Sequence, residues 1–116
     1  TAAELSDFMA RHAADEFWDE STNEIFRRWL GAGADTSMVA SAFDLDPLAH
    51  YHYQRDVWVW NKTGTDSSIR ADAGIVMTPR RRVAYAVFAN WEKGTDRVVE
   101  VMPVMRAAGD AIHRFL

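Results

Sequence analysis

No cysteine occurs in these 116 residues, and that absence removes disulfides, thiolate metal sites and thiol nucleophiles together. It leaves the compartment open, since many chains on either side of a membrane lack cysteine. No apolar run approaches the roughly 18 residues of a membrane-spanning helix, and no basic stretch leading into an apolar one marks a secretory signal. Positive charge is sparse as well. The formal charge is −4, whereas nucleic-acid binding needs a concentrated cationic surface that releases counterions. Arg80-Arg81-Arg82 is the one basic cluster, and its place after Pro79, between two strand-like runs, reads as a solvated hairpin tip. Gly31-Ala32-Gly33 follows a helical pattern and lacks a third glycine, so it punctuates the chain without making a nucleotide loop. There is no internal repeat.

What is present is an ordinary globular composition, 48% hydrophobic and 26% charged, on a chain long enough for one compact core. Thr1 with Glu4 forms a capping box that opens a helix. Leu5, Phe8, Met9, His12 and Ala13 follow at the spacing of one helical face. Ser21 with Glu24 repeats the capping pattern for a second helix that carries Ile25, Phe26, Trp29 and Leu30 and stops at Gly31 and Gly33. Asp35 or Thr36 is placed to cap a short third helix through Phe43, and the stretch from Asp44 to Asp56, with Pro47, reads as a connection.

Val57 to Asn61 then puts Trp58 and Trp60 on one side of a strand and Val57 and Val59 on the other, so both faces are expected to be covered. Ile69 to Met77 and Val83 to Trp91 are also apolar on both faces, and the short Thr78 to Arg81 link predicts an antiparallel hairpin. The last segment, from Thr95 or Asp96 to Leu116, carries Val98, Val101, Met102, Met105, Ala108 and Ile112 at helical spacing. Pro103 within it predicts a kink or a later helix start. The class is therefore α+β: two to three N-terminal helices, then a three-stranded antiparallel sheet packed by a C-terminal helix. Residues 1–52 form the helical part and 53–116 the sheet with its helix. The five tryptophans, Trp18, Trp29, Trp58, Trp60 and Trp91, read as packing at the core and at a seam between the two parts.

Lys62-Thr63-Gly64 stands at the end of the first strand, ahead of Thr65-Asp66. Lys-Thr-Gly at a strand end is the third active-site motif of penicillin-binding proteins and class A β-lactamases. The surrounding order fits too: the helix at Thr1-Ala2-Ala3-Glu4-Leu5, the helix ending at Trp29-Leu30-Gly31, the run Arg70-Ala71-Asp72-Ala73-Gly74, the strand Val83 to Trp91 and the closing helix. Over its whole length the chain resembles the C-terminal half of a class A β-lactamase-like serine hydrolase. A chain that opens on Thr1 is, on this reading, cut or processed from something longer.

Strand alternation puts the Thr63 and Thr65 hydroxyls on one side and Lys62 on the other. Gly64 between them lets an extended substrate lie against the strand and exchange main-chain hydrogen bonds. The resemblance implies that Thr63 and Thr65 hold the carboxylate of a β-lactam or acyl-D-Ala-D-Ala peptide. It implies that Lys62 adds attraction and orients a serine, and that the Thr65 backbone N–H is one oxyanion-hole donor. Arg70 offers a second positive charge for the substrate or, equally, a local pair with Asp66 or Asp72. Asp66 departs from the small residue common after the motif, and its charge tells against binding a β-lactam carboxylate.

Neither Lys62 nor Lys93, the only lysines, has a serine three residues before it, so Ser-x-x-Lys is absent and this chain alone is expected to be inactive. Ser21-Thr22-Asn23 has the form of the second motif but reads as a helix cap. No Gly-x-Ser-x-Gly elbow accompanies His12, His50, His52 or His113. His50-Tyr51-His52 near Asp44, Asp46 and Asp56 could in principle hold zinc; solvated loop histidines are the expectation, and no metal or other cofactor is assigned. The implied partners are a β-lactam or peptide-like substrate and either the missing half of the protein or a second copy, joined at the Val83–Trp91 strand edge. Two alternatives stand beside the hydrolase: a non-catalytic module that binds cell-wall peptides or β-lactams, and a purely structural fragment.

Overall fold

The structure, a computed structural model, describes residues 1–46 and 56–116. Helix α1, Ala2–Ala13, opens on the capping box: Thr1 Oγ1 accepts from the Glu4 amide at 3.2 Å, and Glu4 Oε2 takes the Thr1 ammonium at 2.6 Å and its hydroxyl at 2.8 Å. Helix α2, Glu20–Gly31, begins one residue before Ser21. Asp19 is its cap, not Ser21, accepting from the Thr22 amide at 2.9 Å and from the Ser21 hydroxyl at 2.6 Å. Those bonds, led by that of Ser21, hold the Asp19 carboxyl down at about 2. An aspartate at the cap position accepts more backbone and hydroxyl donors than a serine can, which displaced the expected box.

The third helix is a 3-10 turn, Val39–Phe43, with no side-chain cap. Asp35 turns back on Ser37 instead, taking its amide at 3.1 Å and its hydroxyl at 2.6 Å. Strands β1, Trp58–Asp66, β2, Ile69–Met77, and β3, Arg82–Asn90, form one antiparallel sheet in that order, with β2 central. Lys62, Thr63 and Gly64 continue β1 rather than ending it. Helix α3, Val98–Phe115, closes the chain and holds Pro103 on its exposed side in the second turn.

Both faces of the sheet are covered, as its doubly apolar strands require. Against one face α1 and α2 gather Met9, Ala13, Leu30, Ala73 and Ile75, with Trp60, Ala84 and Ala86 at the margin. Against the other, the 3-10 turn and α3 gather Val39, Ala40, Val59, Val76 and Tyr85, with Ala108 and Ile112. Two glycines set the approach distances. A Cβ on Gly74 would lie 2.3 Å from the Trp60 carbonyl oxygen, and one on Gly109 would lie 2.2 Å from that of Val39. Neither backbone atom can move aside cheaply, so β1 rides close on β2 and the 3-10 turn close on α3.

Half of the expected apolar face of α2 points outward. Leu30 is buried, but Ile25 is 48% and Trp29 72% exposed. Residues 25 and 29 lie about 100° around the helix from 26 and 30, and it is the latter pair that meets the sheet face. Trp29 is therefore not core. The arginine run is only in part a solvated tip. Arg82 donates to the Ala13 carbonyl oxygen at 2.6 Å and Arg81 to that of Phe115, so the hairpin reaches the C-terminal ends of α1 and α3.

Candidate functional site: a ledge on the outer strand

Residues 62–65 sit on β1, an edge strand of the described sheet, so alternate backbone groups along it face away from β2. Lys62, Gly64 and Thr65 are exposed and Thr63 half-buried. The register sets Lys62 opposite Ala73, Thr63 opposite Asp72, Gly64 opposite Ala71 and Thr65 opposite Arg70. Because paired residues share a face, Thr63, Thr65, Asp72 and Arg70 lie on the side of the 3-10 turn and α3, and Lys62 on the side of α1 and α2. Crowding does not force glycine at 64: a Cβ there would meet only the Ala71 Cβ, at 3.5 Å. Its bare backbone leaves a flat step in the ledge.

Lys62 Nζ donates to the Thr63 carbonyl oxygen. Arg70 does not reach toward the ledge. Its Nη1 donates to the carbonyl oxygens of Asp66 at 2.6 Å and Ile69 at 2.7 Å, and its guanidinium lies 5.6 Å from the centre of the Trp91 ring. It makes neither of the expected carboxylate pairs. Asp66 Oδ1 instead accepts the Ser67 amide at 2.6 Å, closing the tight turn between β1 and β2.

Behind the ledge lies a group that the strand pattern did not single out. Asp72 is fully buried and accepts from Asn61 Nδ2, the Tyr85 hydroxyl and the Val39 amide, each at 3.0 Å. Burial raises its pKa, and the three donors only partly offset that. Tyr85 is pushed well above its ordinary value by burial and by the neighbouring carboxyl. Asp72 thus ties β1 just before Lys62, the central strand, β3 and the 3-10 turn to one point. An aspartate between alanines in a doubly covered strand was the available signal.

Asp35 is the second group that sequence reasoning assigned elsewhere. Burial raises its pKa, but the Ser37 bonds, the Thr63 hydroxyl and the Lys62 charge outweigh burial and leave it below the usual value. It stands beside the ledge and not at a helix start.

A cavity of about 760 Å³ opens at the other end of β1, lined by Trp58, Trp60, Arg27, Arg28 and Arg82 among others. None of residues 62–65 lines it. The motif lies instead on an open strand edge, a geometry that suits backbone pairing with an extended ligand and needs no enclosed volume. Among the described residues no group of His, Asp and Glu is placed to hold a metal; the His50–His52 reading falls outside them. No described helix is long and apolar enough to cross a membrane.

A sheet covered on one side by N-terminal helices and on the other by a C-terminal helix, with Lys-Thr-Gly on its edge strand, is the arrangement of a β-lactamase-type fold. The Beta-lactamase enzyme family profile matches residues 1–116, and the chain belongs to that family. Among solved structures it is similar to a class A beta-lactamase from Mycobacterium abscessus, at 20% identity and a TM-score of 0.75 over 98% of this chain and 40% of that one. It is similar also to PBP-A, at 17% identity and a TM-score of 0.69 over 95% of this chain and 38% of that one. A PBP-A variant captured as an acyl-enzyme complex with penicillin G gives 17% identity and a TM-score of 0.68, over 95% and 39%. The chain thus spans about two-fifths of the length of these structures. No match is found among curated proteins.

Proposed function

We propose that this chain is the substrate-anchoring part of a β-lactamase-like active-site serine hydrolase acting on β-lactam or acyl-D-Ala-D-Ala-type substrates. The observation that carries this reading is the Lys62-Thr63-Gly64-Thr65 ledge on an edge strand, exposed but for a half-buried Thr63, in a chain whose family membership covers its whole length. An extended acyl substrate lies along β1, exchanging main-chain hydrogen bonds past Gly64. The Thr65 N–H stabilises the charge that develops on the attacked carbonyl oxygen, a contribution of about 3 kcal/mol for one such donor. Lys62 supplies positive charge from the opposite face of the strand. Arg70, bound to two backbone carbonyls, acts in this reading by stiffening the turn and can reach a substrate only by releasing them.

These residues contain no Ser-x-x-Lys, so the attacking hydroxyl and its lysine come from other polypeptide. The outer edge of β3 supports the same reading. It is unpaired among the described strands, and Phe88 on it is 45% exposed, so a further strand, from the rest of the hydrolase or from a second copy, has a place to pair. The absence of a nucleophile also supports the alternative of a module that binds such ligands without acylation.

Labelling with a fluorescent penicillin decides between them. Produced together with polypeptide from the same reading frame that carries Ser-x-x-Lys, the protein should be acylated. Lys62→Ala should slow labelling by about 100-fold, the scale of one lost transition-state contact. No acylation, with reversible ligand binding lost in Thr63→Ala, establishes the binding module. Full labelling of Lys62→Ala overturns the catalytic reading.

A further inference from the structure

Asn61, the residue just before the ledge, is held from three directions. It is 3% exposed, and its side chain shares a face of β1 with Thr63 and Thr65. Directly across the register stands Gly74, where a Cβ would lie 2.8 Å from the Cα and the Cβ of Asn61. With no side chain at 74, the Asn61 carboxamide crosses diagonally to Asp72, the register partner of Thr63, and its Nδ2 donates to Asp72 Oδ1 at 3.0 Å. From outside the sheet Gly33 closes on the same residue: a Cβ there would lie 3.4 Å from the Asn61 carbonyl oxygen. Asp72 is fixed in its turn, because the Tyr85 hydroxyl and the Val39 amide hold it at 3.0 Å each. Beyond Asn61 the residues Lys62, Gly64 and Thr65 are exposed, and what orients them is the strand that Asn61 anchors.

Resting on the hydrolase reading, we propose that Asn61 is a positioning residue for acylation: its bond to Asp72 fixes the rotation of β1 that aims the Thr65 N–H and Lys62 at the reacting groups. The physical reason is the tolerance of a main-chain donor. It cannot be re-aimed by a rotamer change, since its direction is that of the strand, and a misplacement of about 1 Å at a reacting centre costs about 100-fold in rate. The β1–β2 ladder fixes register but leaves an edge strand free to change its twist, because the other side of β1 pairs with no described strand. A carboxamide tied to a buried carboxyl removes that freedom one residue ahead of the ledge. Asparagine suits the task because it donates to a carboxylate without adding charge, where an aspartate would set two carboxyls face to face.

Fluorescent-penicillin labelling of the chain produced with the Ser-x-x-Lys polypeptide, measured as a rate against ligand concentration, tests this. Asn61→Ala should lower the acylation rate constant by about 10- to 100-fold while the half-saturating concentration moves little, because the oxyanion contact is made only in the transition state. A chain that has merely lost stability labels at the parent rate as long as its thermal transition stays above the assay temperature. Asn61→Asp is the isosteric check, and it decides the matter if Asn61→Ala does not fold. In acid its two carboxyls share a proton and keep the bond; as pH rises that proton is lost and the pair repels. Tyr85 and the Val39 amide face this pair, and Asp35 adds a like charge. The rate of Asn61→Asp relative to the parent should therefore fall at least about tenfold between about pH 5 and pH 8. The parent rate in Asn61→Ala, or a flat ratio for Asn61→Asp, overturns the role of Asn61 and leaves the hydrolase reading standing. No labelling of the parent protein overturns the hydrolase reading and this inference with it.

Discussion

Each face of the sheet buries a side chain that titrates below neutral or near it, His12 on one and Asp72 on the other, and the two are held in opposite ways. Under α1 and α2, His12 is 0% exposed and is ringed by Trp18 and Phe26 at centroid distances of 5.9 and 4.6 Å. Neither of its nitrogens, nor Asn23 Oδ1 beside it, has a hydrogen-bond partner among the described residues. Under the 3-10 turn and α3, Asp72 is equally buried but holds three donors from three separate elements. The first face is cohesive through aromatic surface and tolerates an unsatisfied ring. The second is organised around a polar hub, and the ledge stands directly on that hub. An apolar contact is non-directional, whereas three hydrogen bonds to one carboxyl fix distances and angles. The face that holds the Lys62–Thr65 ledge in register carries the directional device.

That contrast predicts a large asymmetry in mutation. Asp72→Ala strands three buried donors, each costing about 1–3 kcal/mol, so we expect a loss of at least 3 kcal/mol against a total stability of about 5–15 kcal/mol. His12→Leu removes polar atoms that have no hydrogen-bond partner among the described residues, and should change stability by less than about 1 kcal/mol or raise it. Urea denaturation of both variants measures this. If His12→Leu proves the costlier, the histidine is as much a hub as the aspartate, and the comparison fails.

Close packing sharpens the comparison next. On the polar-hub side, Gly109→Ala drives a methyl to within 2.2 Å of the Val39 carbonyl oxygen and must push α3 off the 3-10 turn whose first amide Asp72 holds. Overpacking of this kind costs about 1–3 kcal/mol. We expect the upper part of that range, with weakened protection of the Val39 amide in hydrogen exchange. Unchanged protection would mean that α3 does not brace the hub.

The extent to which these features were legible in the sequence follows the same division. Strand β2 was read with its observed bounds and α1 with its cap, because alternation and a Thr-x-x-Glu box are local signals. The Lys62-Thr63-Gly64 ledge was legible as a motif on a strand. Asp72 was not, since its partners lie 11, 13 and 33 residues away, beyond any periodic window, and a carboxylate in a strand reads by default as half of a local ion pair with Arg70. Asp35 was taken for a helix cap because the residue type suits that task. Its bonds to Ser37 put it in a turn ahead of the 3-10 helix instead. Ile25 and Trp29 were placed inward because periodicity marks an apolar face without saying which neighbouring element will meet it.

Titration gives a smaller effect, with opposite sign on the two faces. Burial, with the charge of Arg27, lowers the pKa of His12 from its ordinary 6.5. The folded chain therefore binds fewer protons than the unfolded one between the lowered value and 6.5, and stability rises as pH rises through that window. Burial raises the pKa of Asp72 above 3.8, so there the folded chain binds more protons, and stability falls as pH rises from 3.8 through the raised value. His12→Leu should flatten the rise toward pH 6.5 and leave the acid-side slope. Denaturation midpoints taken across pH 4–7 separate the two. A slope toward neutral pH that survives in His12→Leu would move its origin to another group.

The smallest expected effect concerns how the hairpin joins the faces. Thr78 to Arg81 connects the central strand to β3, and the arginines at its end divide between the two sides: Arg82 to the end of α1, Arg81 to the end of α3. A cation on the last carbonyls of a helix contributes about 0.3–1 kcal/mol, less when salt screens it. The Arg82 bond is part-buried and the Arg81 bond exposed, so Arg82→Ala should cost the upper part of that range and Arg81→Ala the lower. In raised salt the Arg81 contribution should vanish first. Measured by thermal denaturation at low and high salt, equal costs for the two would mean that the aromatic face gains no more from its arginine than the polar-hub face does, and the asymmetry between the faces would then rest on Asp72 alone.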